Sequence, residues 1–295
     1  MGKFPTRVDL EVTNLCGLRC VMCPRKLMTR PVGFMSMQLV EKVIKEIDEK
    51  KDPTFDHVAL HQIGEPLLHP NIVEIVKLVK RFGLCAVLTT TATLLTESIS
   101  RELFAANVDA LSIDLDSLDK QQYARIRVGA DLDVVRRNID QCIEMRQQLP
   151  DCKTKVDIQT IMMRENAGQV AEVEKEYGER IRSIGGTFVA KTFEQWGGVV
   201  PDMTSGGVEA PSTVPCTQAE FAVIIQWNGD AVICCMDYDG KTKVGNVYES
   251  TIEELWLNDL FNSYRRRIKE GDKTMPHCGT CPHLWRSEVI SGNTC

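Results

Sequence analysis

Residues 8–24 read VDLEVTNLCGLRCVMCP, and the reading of the whole chain starts there. The first part, Val8–Thr13, alternates apolar and polar side chains, the period of a β-strand. The second part places three thiols, Cys16, Cys20 and Cys23, in a loop of eight residues directly after that strand. Three thiolates at this spacing can hold three corners of a cubane iron–sulfur cluster. The fourth iron is then left without a protein ligand. Clusters that only carry electrons are usually fully ligated by cysteine, whereas a metal with an open position is suited to chemistry.

Beyond this loop the strand period recurs at His57–His61, Cys85–Thr89, Asp109–Asp114, Lys155–Met162 and Thr187–Lys191. Helical periods lie between them. Ser36 opens one, with Val40, Val43, Ile44 and Ile47 on a common face. Pro70 opens another, with Ile72, Ile75, Val76 and Val79 inside. Thr96, Asp131 and Asn166 read as further N-caps. Six βα units predict an α/β fold with a parallel sheet and right-handed crossovers. Six are too few to close an eight-stranded barrel, so the expectation is a partial, TIM-like (β/α)6 barrel. The cysteine loop follows strand one, GEP (Gly64–Pro66) follows strand two, and TTTATLL (Thr89–Leu95) runs out of strand three. All lie at the C-terminal ends of strands, the functional face of such folds.

Residues 197–215 are rich in Gly, Pro and Ser without periodicity and read as a linker. They divide a core, 1–196, from a smaller unit, 216–295. In that unit FAVIIQW–NGD–AVICC is a hairpin signal with Asn228-Gly229 at the turn. A helix is expected from Thr251 through Glu270, with Ile252, Leu255, Trp256 and Leu260 on one side.

The chain has 295 residues, 43% hydrophobic and 26% charged, an ordinary globular composition. Its formal net charge of −6 carries no electrostatic footprint for nucleic acid. No apolar run approaches the ~20 residues of a membrane span, and the N-terminus lacks a signal-peptide core. The expected location is the cytoplasm, where thiols stay reduced. Twelve cysteines then point to metal or catalysis rather than to disulfides. Cys216 and Cys234 flank the hairpin, and Cys278 and Cys281 form a CxxC beyond the helix. A pair facing a pair suits a four-thiolate site, and the spacing alone does not choose between zinc and an iron–sulfur cluster. Cys85, Cys142 and Cys152 read as packed thiols.

The CxxxCxxC triad together with GEPLLHP (Gly64–Pro70) resembles the radical S-adenosylmethionine (SAM) enzymes. LSID (Leu111–Asp114) and YARIRVG (Tyr123–Gly129) extend the likeness over most of the chain. The resemblance implies that the open iron chelates the amino and carboxylate groups of SAM. One electron then cleaves the sulfonium, and a 5′-deoxyadenosyl radical removes hydrogen from an unactivated C–H. It implies Glu65 as acceptor for the SAM ammonium and Gly64 as a point of close backbone approach. Ser112 and Arg127 stand near the SAM carboxylate and ribose, with Arg125 as an alternative to Arg127 and Asp114 as a ribose contact. Thr91 stands where the family often has Asn.

Cys216-x12-Gly229-x4-Cys234 resembles the opening of the SPASM domain behind many radical SAM cores. The further cysteines of a full SPASM domain are absent, so the pattern is similar to the shortened twitch domain, with the spacing of the 2-deoxy-scyllo-inosamine dehydrogenase type. This implies a second, auxiliary [4Fe–4S] cluster on Cys216, Cys234, Cys278 and Cys281, and a flavodoxin or ferredoxin as electron donor. The implied substrate is a sugar-like or aminocyclitol small molecule, as in antibiotic biosynthesis, oxidised or else epimerised at a carbinol carbon. The alternative is a maturase of a ribosomally made peptide. The few residues before Cys16, and the missing SPASM cysteines, weigh against it. Cys235, next to a cluster ligand, is expected on the opposite side of its strand, where a thiol can return hydrogen to a substrate radical. Arg164, ending strand five, is the expected partner of a substrate oxygen. Glu194, Trp196, Asp237 and His61 (rather than His57) are further pocket candidates. The run Arg265–Arg267 reads as a solvated helix face or a donor-docking patch.

Overall fold

The parallel strands alternate in character because their two faces meet different surroundings. Val8, Leu10, Val58, Leu88, Leu111, Ile113, Val156 and Ile158 are fully buried in the main core beneath the helices. The intervening residues, among them Asp9, Glu11, His57, Ser112, Asp157 and Gln159, are buried and polar. Side chains alternate across a strand, so the inner face of the sheet is polar. A parallel sheet that is apolar on both faces reads as a continuous hydrophobic run, and this chain's departure from that pattern marks a functional lumen.

The computed structural model describes residues 2–205 and 216–281. The core runs β1 (Arg7–Leu10), α1 (Met37–Lys50), β2 (His57–Ala59), α2 (Ile72–Arg81), β3 (Ala86–Thr90), α3 (Glu97–Ala105) and β4 (Ala110–Asp114). It continues with α4 (Lys120–Ile126), α5 (Leu132–Gln147), β5 (Lys155–Met162), α6 (Val170–Arg182) and β6 (Phe188–Thr192). Strands β1 to β6 pair in parallel in chain order, the expected partial barrel. The side chains of Ser36, Thr96 and Asp131 each accept a hydrogen bond from a first-turn amide, as their composition predicts. Asn166 does not. It closes a short 3-10 turn, Arg164–Asn166, and its amide holds Asp116 O and Ile161 O, so α6 starts later, at Val170.

The C-terminal part comprises α7 (Gln218–Phe221), β7 (Ala222–Ile225), β8 (Asp230–Val232), β9 (Lys243–Asn246), α8 (Ile252–Leu257) and α9 (Asp259–Lys269). The expected hairpin forms from β7 and β8, with Gly229 at φ +85° in the turn. Strand β7 also pairs in parallel with β1, so the hairpin extends the core sheet into nine strands, β6-β5-β4-β3-β2-β1-β7-β8-β9. The single helix expected from Thr251 to Glu270 is two. Asn258 ends α8 in extended backbone and caps α9 by accepting from Phe261 N at 2.7 Å. Arg265 is not solvated. Its guanidinium stacks over Trp256 (4.0 Å) and Phe261 (3.9 Å) and donates to two backbone carbonyls, while Arg267 pairs with Asp272. Only Arg266 of the three is exposed, which removes the docking patch.

A buried clasp ties the cysteine loop to this extension. Arg30 forks onto the fully buried carboxylate of Glu11 and donates through Nε to Tyr238 O at 2.7 Å. Asp239 accepts from Thr29 N and Oγ1. The first half of the expected linker is also anchored. A Cβ on Gly197 would stand 2.5 Å from the His277 ring, and one on Gly198 would stand 2.4 Å from Thr280 O. Residues 206–215 and 282–295 lie outside the described residues.

Candidate functional site

A cavity of about 220 Å³ opens at the C-terminal ends of β1 to β6. Cys16, Cys20 and Cys23 line one side of it, beside Gly64, Glu65, Thr89–Thr91, Asp114 and Arg127. Burial pushes all three thiols up, Cys23 to about 11. A thiolate here therefore needs added positive charge, which iron supplies. The donor set, three thiols in one cavity wall, fits a cluster with one iron left open to a ligand.

Loop crossings set this geometry. A Cβ on Gly64 would stand 2.2 Å from Thr13 O and 2.7 Å from Leu15 O, and Glu65 N donates to Leu15 O at 2.7 Å. Gly64 is thus demanded by the close passage of the GEP loop over the cysteine loop, rather than by a ligand. Glu65 is buried and its oxygens are in use. Oε1 accepts from Thr90 Oγ1 (2.7 Å) and Leu67 N (3.2 Å), and Oε2 from Thr91 N (2.9 Å) and Thr91 Oγ1 (2.7 Å). Four donors match the lone pairs of a carboxylate. The side chain expected to receive an ammonium instead pins two loops together, and Thr91 supplies half of that pin.

Arg127 sits under the cysteines, about 5% exposed. Its Nε donates to Asp116 Oδ2 at 2.6 Å, and its Nη1 lies 3.1 Å from Asp114 Oδ2 and 3.9 Å from Cys20 Sγ. Among the described residues Nη2 is buried without a hydrogen-bond partner, while Arg127 lines the cavity. Native structures rarely leave such a donor unmade, and an Arg fork suits a carboxylate. Asp116, fully buried and also accepting from Ile161 N at 2.9 Å, escaped the sequence reading. It lies two residues past the LSID segment, and its role depends on two distant elements.

Other expectations are corrected. Arg125 is exposed on α4 and does not line the cavity. Ser112 is buried within β4 and does not line it either. Arg164 is exposed outside the cavity, donating to Asp202 O. Asp237 accepts from Lys241 N, Thr242 N and Thr242 Oγ1, so it closes a turn. Glu194, Trp196 and His61 do line the cavity, together with Gln62, Lys191, Phe193 and Met236.

The second cysteine set gathers beside this pocket. Burial, then Cys281 and Cys216, push the Cys278 thiol up to about 12, and Cys234 is raised by its neighbour Cys235, by burial, and by Cys216 and Cys281. Cys216 and Cys281 thus both act on Cys234 and on Cys278, and four thiols form the donor set that a fully ligated cluster takes. Strand β8 ends at Val232, so Cys234 and Cys235 lie beyond it, and each thiol acts on the other's protonation. The expectation that Cys235 faces away from Cys234 fails because the chain has already left the strand. Gln62 donates to Cys235 O at 2.6 Å, and Glu194 acts electrostatically on Cys216 and Cys235. The pocket thus runs from the first cysteine set to Met236, whose backbone N–H donates to Cys234 Sγ at 3.3 Å. Of the three thiols read as packed, Cys142 is buried and Cys85 and Cys152 are half-buried.

Burial, reinforced by Lys191, lowers the His61 pKa to about 3. An unfolded histidine titrates near ~6.5. Between these values only the unfolded chain binds the proton. Stability is therefore intact above about pH 6.5 and is lost as the pH falls toward 3. Urea unfolding of the protein should lose on the order of 1–2 kcal/mol more between about pH 7 and pH 5 than unfolding of His61→Asn. Equal losses in the two proteins would contradict an imidazole that stays neutral in the folded chain.

Comparison with known proteins agrees with this architecture. A model of the Radical SAM superfamily matches residues 10–186, and one of the SPASM iron–sulfur cluster-binding domain matches residues 216–282. The tungsten-containing aldehyde ferredoxin oxidoreductase cofactor-modifying protein of Pyrococcus furiosus is 24% identical, over 92% of this chain and 86% of its own length. A probable GTP 3′,8-cyclase of Methanococcus maripaludis is 28% identical over 49% of this chain and 47% of its own length. Among solved structures, BtrN in complex with AdoMet and 2-DOIA shares the fold with a TM-score of 0.65 and 18% identity, covering 94% of this chain and 92% of BtrN. Streptococcus suis SuiB bound to precursor peptide SuiA does so with a TM-score of 0.69 and 16% identity, covering 96% of this chain and 70% of SuiB. Among the described residues no helix is long and apolar enough to cross a membrane. With the superfamily match spanning most of the barrel and its cysteine loop, this chain belongs to the radical SAM superfamily, whose SAM and iron–sulfur chemistry its cavity is lined to hold.

Proposed function

We propose that this enzyme holds two [4Fe–4S] clusters, one on Cys16, Cys20 and Cys23 with SAM and one on Cys216, Cys234, Cys278 and Cys281. We propose further that it oxidises a carbinol carbon of a hydroxylated small molecule of the sugar or aminocyclitol class, with epimerisation as the next outcome. The observation that carries this reading is the single cavity reaching from the first thiol set to Glu194 and Met236, which abut the second. When bound, the cluster–SAM pair supplies the species that removes a hydrogen atom. Arg127 positions the cofactor carboxylate, and Phe193 and Trp196 shield the reacting carbon from water. Oxidation then needs an electron sink close to the pocket, and the second cysteine set stands there. For epimerisation the hydrogen donor is Cys235, whose backbone carbonyl accepts from the cavity residue Gln62.

One specific observation favours a second reading. The Pyrococcus relative, named for modifying the cofactor of another enzyme, aligns over nearly the whole chain. Modification of a peptide or protein-bound target is therefore the competing hypothesis. Anaerobic turnover in heavy water against a panel of aminocyclitols, sugars and peptides separates them. Oxidation is expected to give a ketone without solvent deuterium, and epimerisation to place deuterium at the inverted carbon. Modification of peptides alone would reject the small-molecule reading.

A further inference from the structure

Two further polar residues line the cavity away from the cysteine loop in sequence. His61 follows β2 and Lys191 lies near the end of β6, with three strands between β2 and β6 in the sheet. Both line the cavity, and the Lys191 charge acts on the imidazole across the lumen rather than along the sheet. His61 Nδ1 is buried without a hydrogen-bond partner among the described residues. Native proteins rarely leave such an atom unmatched except where something else supplies the partner. The cavity's other guanidinium or ammonium, that of Arg127, is committed to Asp114 and Asp116. Lys191 forms no ion pair among the described residues and brings a positive charge to the pocket wall.

We propose that Lys191 and His61 form the substrate-binding pole of this cavity and receive an oxyanion of the substrate, a carboxylate or a phosphate ester; this rests on the radical SAM reading of the site. An oxyanion has lone pairs for both the ammonium and a neutral imidazole N–H, and its bond to a charged donor is the stronger kind. His61 is held neutral, so it does not repel Lys191, and Nδ1 is the ring atom left for the substrate. The substrates that follow are acidic or phosphorylated members of the hydroxylated class, sugar acids or sugar phosphates.

The test uses the reconstituted protein with SAM under anaerobic conditions. D-Glucuronate, D-glucose 6-phosphate and D-glucose are titrated in turn, and tryptophan fluorescence is followed, since Trp196 lines the same cavity. At least one anionic sugar is expected to bind about ten-fold more tightly than glucose. Which of the two does so identifies carboxylate or phosphate. Lys191→Ala should erase the preference, and Lys191→Arg, which keeps the charge and reports on folding, should retain most of it. Glucose binding as tightly as both anions, or an undiminished preference in Lys191→Ala, overturns the assignment. Failure of the unsubstituted protein to bind SAM would instead bring down the reading beneath it.

Discussion

Alanine at Cys16, Cys20 or Cys23 is expected to reduce SAM cleavage to background and to lower iron from about eight to about four per chain. All three thiols line one cavity wall, and burial holds each of them protonated until iron binds. A cubane that keeps one iron open for SAM has no spare ligand, because no fourth cysteine lines the cavity among the described residues. Cys142→Ala is the matched control. That thiol is buried within α5 in the hydrophobic core, so its loss should cost about 1 kcal/mol of stability and leave iron and cleavage unchanged. Iron by colorimetry and 5′-deoxyadenosine by chromatography, on variants with native circular dichroism, decide the matter. Full iron content in Cys20→Ala would contradict the assignment.

Arg127→Ala should be the most damaging change that removes no cluster ligand. It strands Asp116, fully buried, and Asp114 without their cation. Breaking a buried pair from one side costs about 3–5 kcal/mol, because the remaining charge is left uncompensated. Burial already pushes the Asp116 carboxyl up, against the pull of Arg127. Without the guanidinium, Asp116 is expected to take up a proton and the β4–α4 connection to loosen. SAM affinity should fall by about ten-fold or more, as Nη2 is the donor left over for its carboxylate. Arg127→Lys keeps the charge but not the fork that reaches Asp116 through Nε and Asp114 through Nη1. It should recover stability only in part and SAM affinity hardly at all. An Arg127→Ala protein with an unshifted urea midpoint would falsify this role.

What the sequence made legible was local. The caps Ser36, Thr96 and Asp131 satisfy amides two or three residues away, so composition at those points is enough to place α1, α3 and α5. The cysteine triad is likewise a short-range pattern. The illegible parts depend on distant segments meeting. Pairing of β7 with β1 joins residues more than two hundred positions apart, and nothing in FAVIIQW specifies that edge. Asp116 and Lys191 gain their roles from Arg127 and His61, which other elements deliver. Arg265 reads as one of three exposed arginines until Trp256 and Phe261 close on it. Cys235 was misplaced by assuming that β8 continued to residue 235, whereas the strand stops at Val232. Glu65 was found but given the wrong partner, because its four donors come from the Thr90–Thr91 segment and its own turn.

The central claim is that a cluster on the first cysteine loop keeps one iron open to grip SAM. Its most direct measurement is anaerobic SAM cleavage by the reconstituted, dithionite-reduced protein. The account predicts 5′-deoxyadenosine and methionine in equal amounts from a protein carrying about eight irons. A protein that takes up the iron and leaves SAM intact would contradict it.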